Sequence, residues 1–115
     1  MTSFNLKTSP HFDSLKIQAI HCLFESDERL LYFLFHHKKL ELRESASELL
    51  KEARCFSRGE FLMVQVALDI WCGEGHVKLP ELLSGLDDQN LLRVIRAIAK
   101  VREFIELAEA LECLS

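Results

Sequence analysis

The pattern of apolar and polar positions predicts helices along most of the chain. Neither Gly nor Pro occurs between Pro10 and Gly59, so only polar caps and turns can interrupt this half. A first helix is predicted from Pro10 to about Phe24, because Ser9 and Pro10 form an N-cap followed by proline at the first helical position. Residues 1–9 are expected to form a flexible tail before it.

The region 27–54 allows two interpretations. Residues 26–28 read Ser-Asp-Glu, which is typical of a helix start with acids in the first turn. The apolar run at 30–35 then meets the polar cluster His-His-Lys-Lys at 36–39. Residues 45–48 read Ser-Ala-Ser-Glu, a capping-box spacing that predicts a separate second helix. The alternative is one long helix over 27–54.

The clearest boundary in the sequence lies at Ser57. Ser57 and Glu60 have the spacing of a capping box. Gly73 provides the residue type that commonly follows the last turn of a helix. These two signals predict a helix over 58–72.

The predicted helix at 58–72 is apolar almost all round, which is typical of a buried helix. Between Phe61 and Cys72 only Gln65 and Asp69 are polar. The sequence therefore predicts an all-α fold: a compact bundle of five or six helices around this central helix. A single helical domain is expected over 10–115.

The order of elements after the central helix resembles that of winged-helix domains. Residues 76–79 alternate in polarity and predict a short extended segment. Pro80 starts a brief helix, and Asp87 caps a last helix running from Asp88 to about Glu112. The resemblance implies a DNA-binding regulator whose last helix reads base edges. The residues of suitable type near its start are Gln89, Asn90, Arg93 and Arg96, and together with Lys100 they are the candidate contacts to DNA or to a protein partner.

The last helix also carries apolar residues at heptad spacing, which is typical of helix pairing. Basic residues occupy its first half and glutamates follow in its second half. Two copies paired antiparallel would set opposite charges against each other, whereas parallel pairing would align like charges. The sequence thus allows an antiparallel homodimer. Its predicted contacts are Leu92, Ile95, Ala99, Glu103 and Glu106.

Composition and charge narrow the function classes. A net charge of -4 disfavours a protein that grips nucleic acid through a broad basic surface. The first residues lack a signal-peptide pattern, and no apolar run approaches membrane-spanning length, so a cytoplasmic location without membrane contact is expected. The four cysteines form no CxxC pair and are expected to stay reduced.

No motif in the sequence predicts a metal, a cofactor or a catalytic centre. Cys72 and His76 have a separation that zinc ligands use, but they form only one pair. Read as a calcium loop, the segment 70–81 places Ile70 and Cys72 where oxygen ligands are needed. The sequence therefore predicts a non-catalytic protein–protein interaction or regulatory module. The alternatives are the winged-helix-like DNA-binding regulator and a small enzyme with an unrecognised site.

Overall fold

The computed structural model describes residues 10–25 and 27–103. These residues form six α-helices, which confirms the all-α prediction. A 3₁₀ turn at Ala53–Cys55 follows the third helix. The helices are α1 (Pro10–Leu23), α2 (Glu28–Leu34), α3 (Ala46–Glu52), α4 (Arg58–Cys72), α5 (Leu79–Gly85) and α6 (Asp88–Val101).

Helix α4 is the buried centre of the fold, as its sequence predicts. Every residue from 62 to 68 is buried, so this helix has no solvent-facing side over two turns. The Ser57 hydroxyl accepts a hydrogen bond from the Glu60 N–H at 3.2 Å. The Glu60 carboxylate accepts one from the Ser57 N–H at 3.1 Å, which completes the capping box. Gly73 ends the helix with a left-handed φ of 75°.

The other helices complete the core around α4. Helix α1 packs against both α4 and α6, and α6 also contacts α4. The interior is mainly aliphatic and contains side chains from all six helices. Its largest fully buried side chains are Ile20, Leu23, Leu34, Leu49, Leu68 and Val64.

The region 27–54 contains two helices, α2 and α3, rather than one. Between them, Phe35 and Leu42 form an isolated antiparallel β-bridge that closes the connecting loop. The Ser45 hydroxyl caps α3 by accepting from the Glu48 N–H at 3.3 Å. The capping signal at Ser45 therefore identified a real helix start.

The short extended segment predicted at 76–79 does not form a strand. In the described part of the chain, no residue of this segment pairs in a sheet, and α5 already begins at Leu79. The backbone N–H groups of His76 and Val77 donate instead to the Asp69 carboxylate, at 3.2 and 3.0 Å. Because these donors face a side chain, they cannot join a β-ladder.

Helix α6 is shorter than the apolar spacing predicts. It ends at Val101, and Glu103 adopts a left-handed φ of 58°. The Glu103 N–H donates to the Lys100 carbonyl at 3.1 Å, which closes a final tight turn. Left-handed backbone cannot continue a right-handed helix, and no glycine marks this end in the sequence. The rest of the predicted helix, to Glu112, lies outside the described residues.

The capping box should make the stability of α4 sensitive to acid. The Ser57 N–H and the Arg29 guanidinium both stabilise the Glu60 carboxylate and lower its pKa. A lowered pKa means stabilisation that is present above the ordinary glutamate pKa and lost as the pH falls through the folded-state value. We expect Glu60→Gln to flatten the fall of the melting temperature between neutral pH and about pH 3.

Thermal melts across this pH range measure the effect, and Ser57→Ala is the control. That variant loses a cap acceptor but keeps the titrating carboxylate, so it should melt lower at neutral pH while retaining an acid-dependent fall. A Glu60→Gln profile as steep as that of the unmodified chain would contradict the assignment.

Candidate functional site

The side of α6 that points away from the core is apolar in its middle, between the exposed Asp88 and Arg102. Leu91, Ile95 and Ile98 follow one another at helical spacing, and we call them the outer face of α6. Ile95 is 39% exposed and Ile98 is 50% exposed, although both are large aliphatic side chains. This face therefore offers apolar surface to solvent on successive turns.

A groove continues from this outer face towards the end of α4. It has a volume of about 500 Å³ and lies between the C-terminal ends of α4 and α6, with α1 at its side. Ile98 belongs to both the outer face and the groove, so the two form one surface. The groove residues are Lys16, Asp69, Ile70, Trp71, Cys72, Gly73, Ile98, Val101 and Arg102.

Trp71 is held in the groove wall by contacts on two sides. Its ring meets the Phe35 ring edge to face, with centroids 5.2 Å apart. The buried Lys16 ammonium lies 4.9 Å from the Trp71 ring and donates to the Trp71 carbonyl at 3.1 Å. The same ammonium lies 3.4 Å from the Asp13 carboxylate. A tryptophan fixed in this way gives the groove a rigid aromatic wall.

The polar groups of the groove are occupied by structural contacts. The Asp69 carboxylate accepts from three backbone N–H groups, of which Gly75 is the closest at 2.8 Å. Burial raises the pKa of the Cys72 thiol, which keeps it protonated and a poor nucleophile at neutral pH. The groove is thus suited to apolar contact rather than to acid–base or nucleophilic chemistry.

The loop after α4 is shaped by the two polar side chains that interrupt the apolar sequence of that helix. Asp69 binds its N–H groups, and the Gln65 amide donates to the carbonyls of Gly75 and His76 at 3.0 and 3.2 Å. Both residues stand out in the sequence as polar exceptions, but nothing near them in the sequence indicates their role. Their common role is to fold residues 75–77 back onto α4.

The arginines predicted to contact DNA are engaged within the chain. An Arg96 Nη donates to the Glu25 carboxylate at 3.1 Å, and Arg93 Nε lies 3.7 Å from the same oxygen. Arg93 also donates to the Asn90 side-chain oxygen at 2.9 Å. Gln89 is exposed at the start of α6. Reading base edges would require both arginines to leave Glu25.

The residues predicted to form a dimer contact are spread over different environments. Ile95 lies on the outer face of α6, and Leu92 is half-buried beside it. Ala99 is buried, and Glu103 is exposed just beyond the end of the helix. Glu106 lies outside the described residues. Lys100, predicted as a partner or DNA contact, is half-buried near the end of α6.

A cluster of carboxylates lies away from the groove, on and just before α3. Glu44, Glu48 and Glu52 bring carboxylate oxygens within 4.8 Å of one another. Arg43 pairs with Glu44 at 3.1 Å and with Glu52 at 3.2 Å. When Glu44 is protonated it can donate to Glu52, and this interaction raises the pKa of Glu44 and lowers that of Glu52. When both are ionised, Arg43 compensates the charge of these two carboxylates.

We expect the purified protein to carry no stoichiometric metal and to keep its melting temperature in excess chelator. The physical reason is that Arg43 already compensates the charge that a cation would neutralise at Glu44 and Glu52. Elemental analysis together with a thermal melt in chelator checks this. One bound metal per chain, or a clearly lower melting temperature in chelator, would contradict it.

Comparison with models of known protein families gives no match to this chain, and comparisons with curated proteins and with solved structures give none either. Among the described residues, no helix is long and apolar enough to cross a membrane.

Proposed function

We propose that this chain is a non-catalytic protein–protein interaction module, and that the outer face of α6 with its adjoining groove is the contact surface. The half-exposed side chain of Ile98, at the junction of the two, carries the proposal. A partner that covered this junction would remove apolar area from water, which contributes roughly 25 cal/mol per Å². Contiguous exposed apolar surface is typical of binding sites.

The shape and chemistry of the surface favour a helix of the partner protein as its ligand. An amphipathic helix binds to an apolar groove through side chains three and four residues apart. Trp71 offers such a helix a rigid aromatic wall, and Ile98 and Val101 line the other side. Aromatic anchors in a partly enclosed site commonly provide most of the affinity at an interface.

The position of Arg93 and Arg96 favours a protein partner over DNA. Both side chains are bound to Glu25, so DNA contact would break their ion pairs before it gained new ones. The apolar surface lies on a different side of α6 and needs no such rearrangement. The winged-helix alternative therefore has less support from the geometry than protein contact.

A second copy of the chain is the other candidate occupant of this surface. A two-fold pairing through the outer face of α6 would bury the exposed Ile95 of each copy. The charge argument for antiparallel pairing is weakened, because Arg93 and Arg96 already have an acidic partner in their own chain. A cytoplasmic location is part of the proposal.

Site-specific photocrosslinking tests the proposal. The chain is expressed in the organism that naturally produces it, with a benzophenone amino acid in place of Ile98. After irradiation, the crosslinked adducts are identified by mass spectrometry. We expect one discrete adduct with another protein. An adduct of two 13.3 kDa chains would identify the partner as a second copy.

Leu83 provides the matched control position. It is an exposed leucine on α5, 63% accessible, and lies outside the groove and the outer face of α6. The same photoreactive residue at Leu83 should give no discrete adduct, and Ile95→Glu should abolish the adduct formed at position 98. Equal adducts at both positions, or none at position 98, would overturn the proposed surface.

A further inference from the structure

The loop between α2 and α3 is a firmly held structure rather than a loose turn. The His36 N–H donates to the Glu41 carbonyl at 3.1 Å, and the Arg43 N–H donates to the Leu34 carbonyl at 2.8 Å. These bonds flank the bridge between Phe35 and Leu42 and close the loop at its base. We call residues 36–41 the basic loop.

Two further contacts fix the basic loop to the helices beside it. The Arg43 Nε donates to the Phe33 carbonyl at 2.8 Å, which ties the far end of the loop to α2. The His37 ring stacks on the Tyr32 ring with centroids 5.1 Å apart and an interplanar angle of 13°. These two contacts anchor the loop to α2.

The tip of the basic loop presents cations together with exposed apolar surface. Residues 36–40 are all exposed and include Lys38 and Lys39. Leu40 is 61% exposed and Tyr32 is 48% exposed beside them. Glu41 offsets part of the charge, at 3.8 Å from His36 and 4.0 Å from Lys39. In the described part of the chain, Lys38 has no ion pair.

A cleft of about 230 Å³ lies under this tip. Apolar side chains of α1 and α2 form its floor, and the cations of the loop form its rim. The residues that line it are Ile17, His21, Leu31, Tyr32, Phe35, His36, His37, Lys38, Lys39 and Leu40. The cleft is therefore shaped for a ligand that combines an apolar group with negative charge.

We propose that the basic loop binds an acidic segment of a partner protein. Carboxylates of that segment pair with Lys38 and Lys39, while an apolar side chain contacts Leu40 and Tyr32 in the cleft. A loop already fixed in its binding conformation loses little entropy when a ligand arrives. Positive charge in the loop also favours the approach of an acidic segment to a chain whose net charge is -4.

The mixed chemistry of the loop favours an acidic protein segment over nucleic acid. Nucleic-acid binding rests on many cations that follow a phosphate backbone. Here two lysines stand beside Leu40, a large aliphatic side chain that gives no contact to phosphate. This surface is separate from the groove at α4 and α6, so the inference goes beyond the interaction module proposed above.

Fluorescence polarisation with a labelled peptide of repeated Glu-Glu-Leu tests the inference. We expect saturable binding to the full chain at about 50 mM salt and clear weakening at about 200 mM. The same peptide with Gln in place of Glu should not bind. The double substitution Lys38→Glu with Lys39→Glu should weaken binding at least about tenfold. Leu40→Ser should weaken it less.

A charge-matched control tests whether the location of the lysines, rather than the net charge of the chain, determines peptide binding. Lys51→Glu with Arg54→Glu makes the same change in net charge at exposed positions outside the loop, and should leave binding within about twofold. Thermal melts establish that each variant folds. Undetectable peptide binding, equal loss in the control variant, or tighter binding of random duplex DNA than of the peptide would overturn the inference. Crosslinking at Ile98 is a separate readout, so failure here leaves the α6 surface independently testable.

Discussion

Gly75→Ala is expected to lower the free energy of unfolding by about 3 kcal/mol. An added Cβ would lie 1.9 Å from the Gln65 carbonyl oxygen and 2.9 Å from the Asp69 side chain. The first of these is a backbone atom of the buried helix α4, which cannot move without disturbing the core. The loop after α4 would have to detach from the helix to make room.

Gly59→Ala is the matched control for this prediction. Gly59 lies in the first turn of α4, and a Cβ there would meet nothing within 4 Å. Alanine has a higher helix propensity than glycine. The free energy of unfolding of this variant should therefore be unchanged or higher by up to about 1 kcal/mol. Denaturant unfolding of both variants decides the matter. Similar unfolding free energies for the two would show that the close approach at Gly75 is not a constraint.

Asp69→Ala should destabilise the fold to a comparable extent, by about 3 kcal/mol. The carboxylate accepts from the N–H groups of Gly75, His76 and Val77, and hydrogen bonds to a charged acceptor are stronger than neutral ones. Gly75 is buried, so water cannot easily replace the lost acceptor there. Trp71 lies two residues further along α4, and its fluorescence reports on the same region.

Asp87→Ala provides the comparison for Asp69→Ala. Asp87 caps α6 and accepts one backbone N–H, that of Asn90, at 2.8 Å. Loss of an N-cap typically costs about 1 kcal/mol. Chemical unfolding should therefore show a clearly larger loss of unfolding free energy for Asp69→Ala than for Asp87→Ala. An effect at Asp69 no larger than that at Asp87 would mean that the loop is held by other contacts.

The parts of the fold that local sequence patterns encode were predictable. The capping box at Ser57 and the glycine at 73 defined α4, and the near absence of polar residues indicated its burial. Ser45 marked the start of α3. In each case the signal and the element lie within a few residues of each other, so no knowledge of distant neighbours was needed.

The parts that depend on contacts across the chain were not predictable. Alternating polarity at 76–79 indicated an extended segment that could form a strand. Nothing in the local sequence shows that the backbone N–H groups of this segment would donate to Asp69 instead. Heptad spacing placed Ile98 in one apolar stripe, but spacing does not tell which positions find a neighbour. In the structure Val94 is buried and Ile98 is half exposed, and this difference in exposure identifies the candidate surface.

The candidate basic loop was also visible only in part. The sequence showed its cations at 36–39 as a polar end to a helix. The bridge between Phe35 and Leu42 and the anchoring role of Arg43 turn that end into a fixed loop. Pairing between residues on either side of a loop follows from tertiary packing, which a single sequence does not reveal.

Binding of another protein through the junction of α6 with its groove can be measured as the affinity of the crosslinked partner. The purified partner is titrated against the unmodified chain, against Ile98→Ser and against the control Leu83→Ser. We expect Ile98→Ser to weaken binding at least about tenfold and Leu83→Ser to change it by less than about twofold. Equal affinities for the unmodified chain and Ile98→Ser would contradict it.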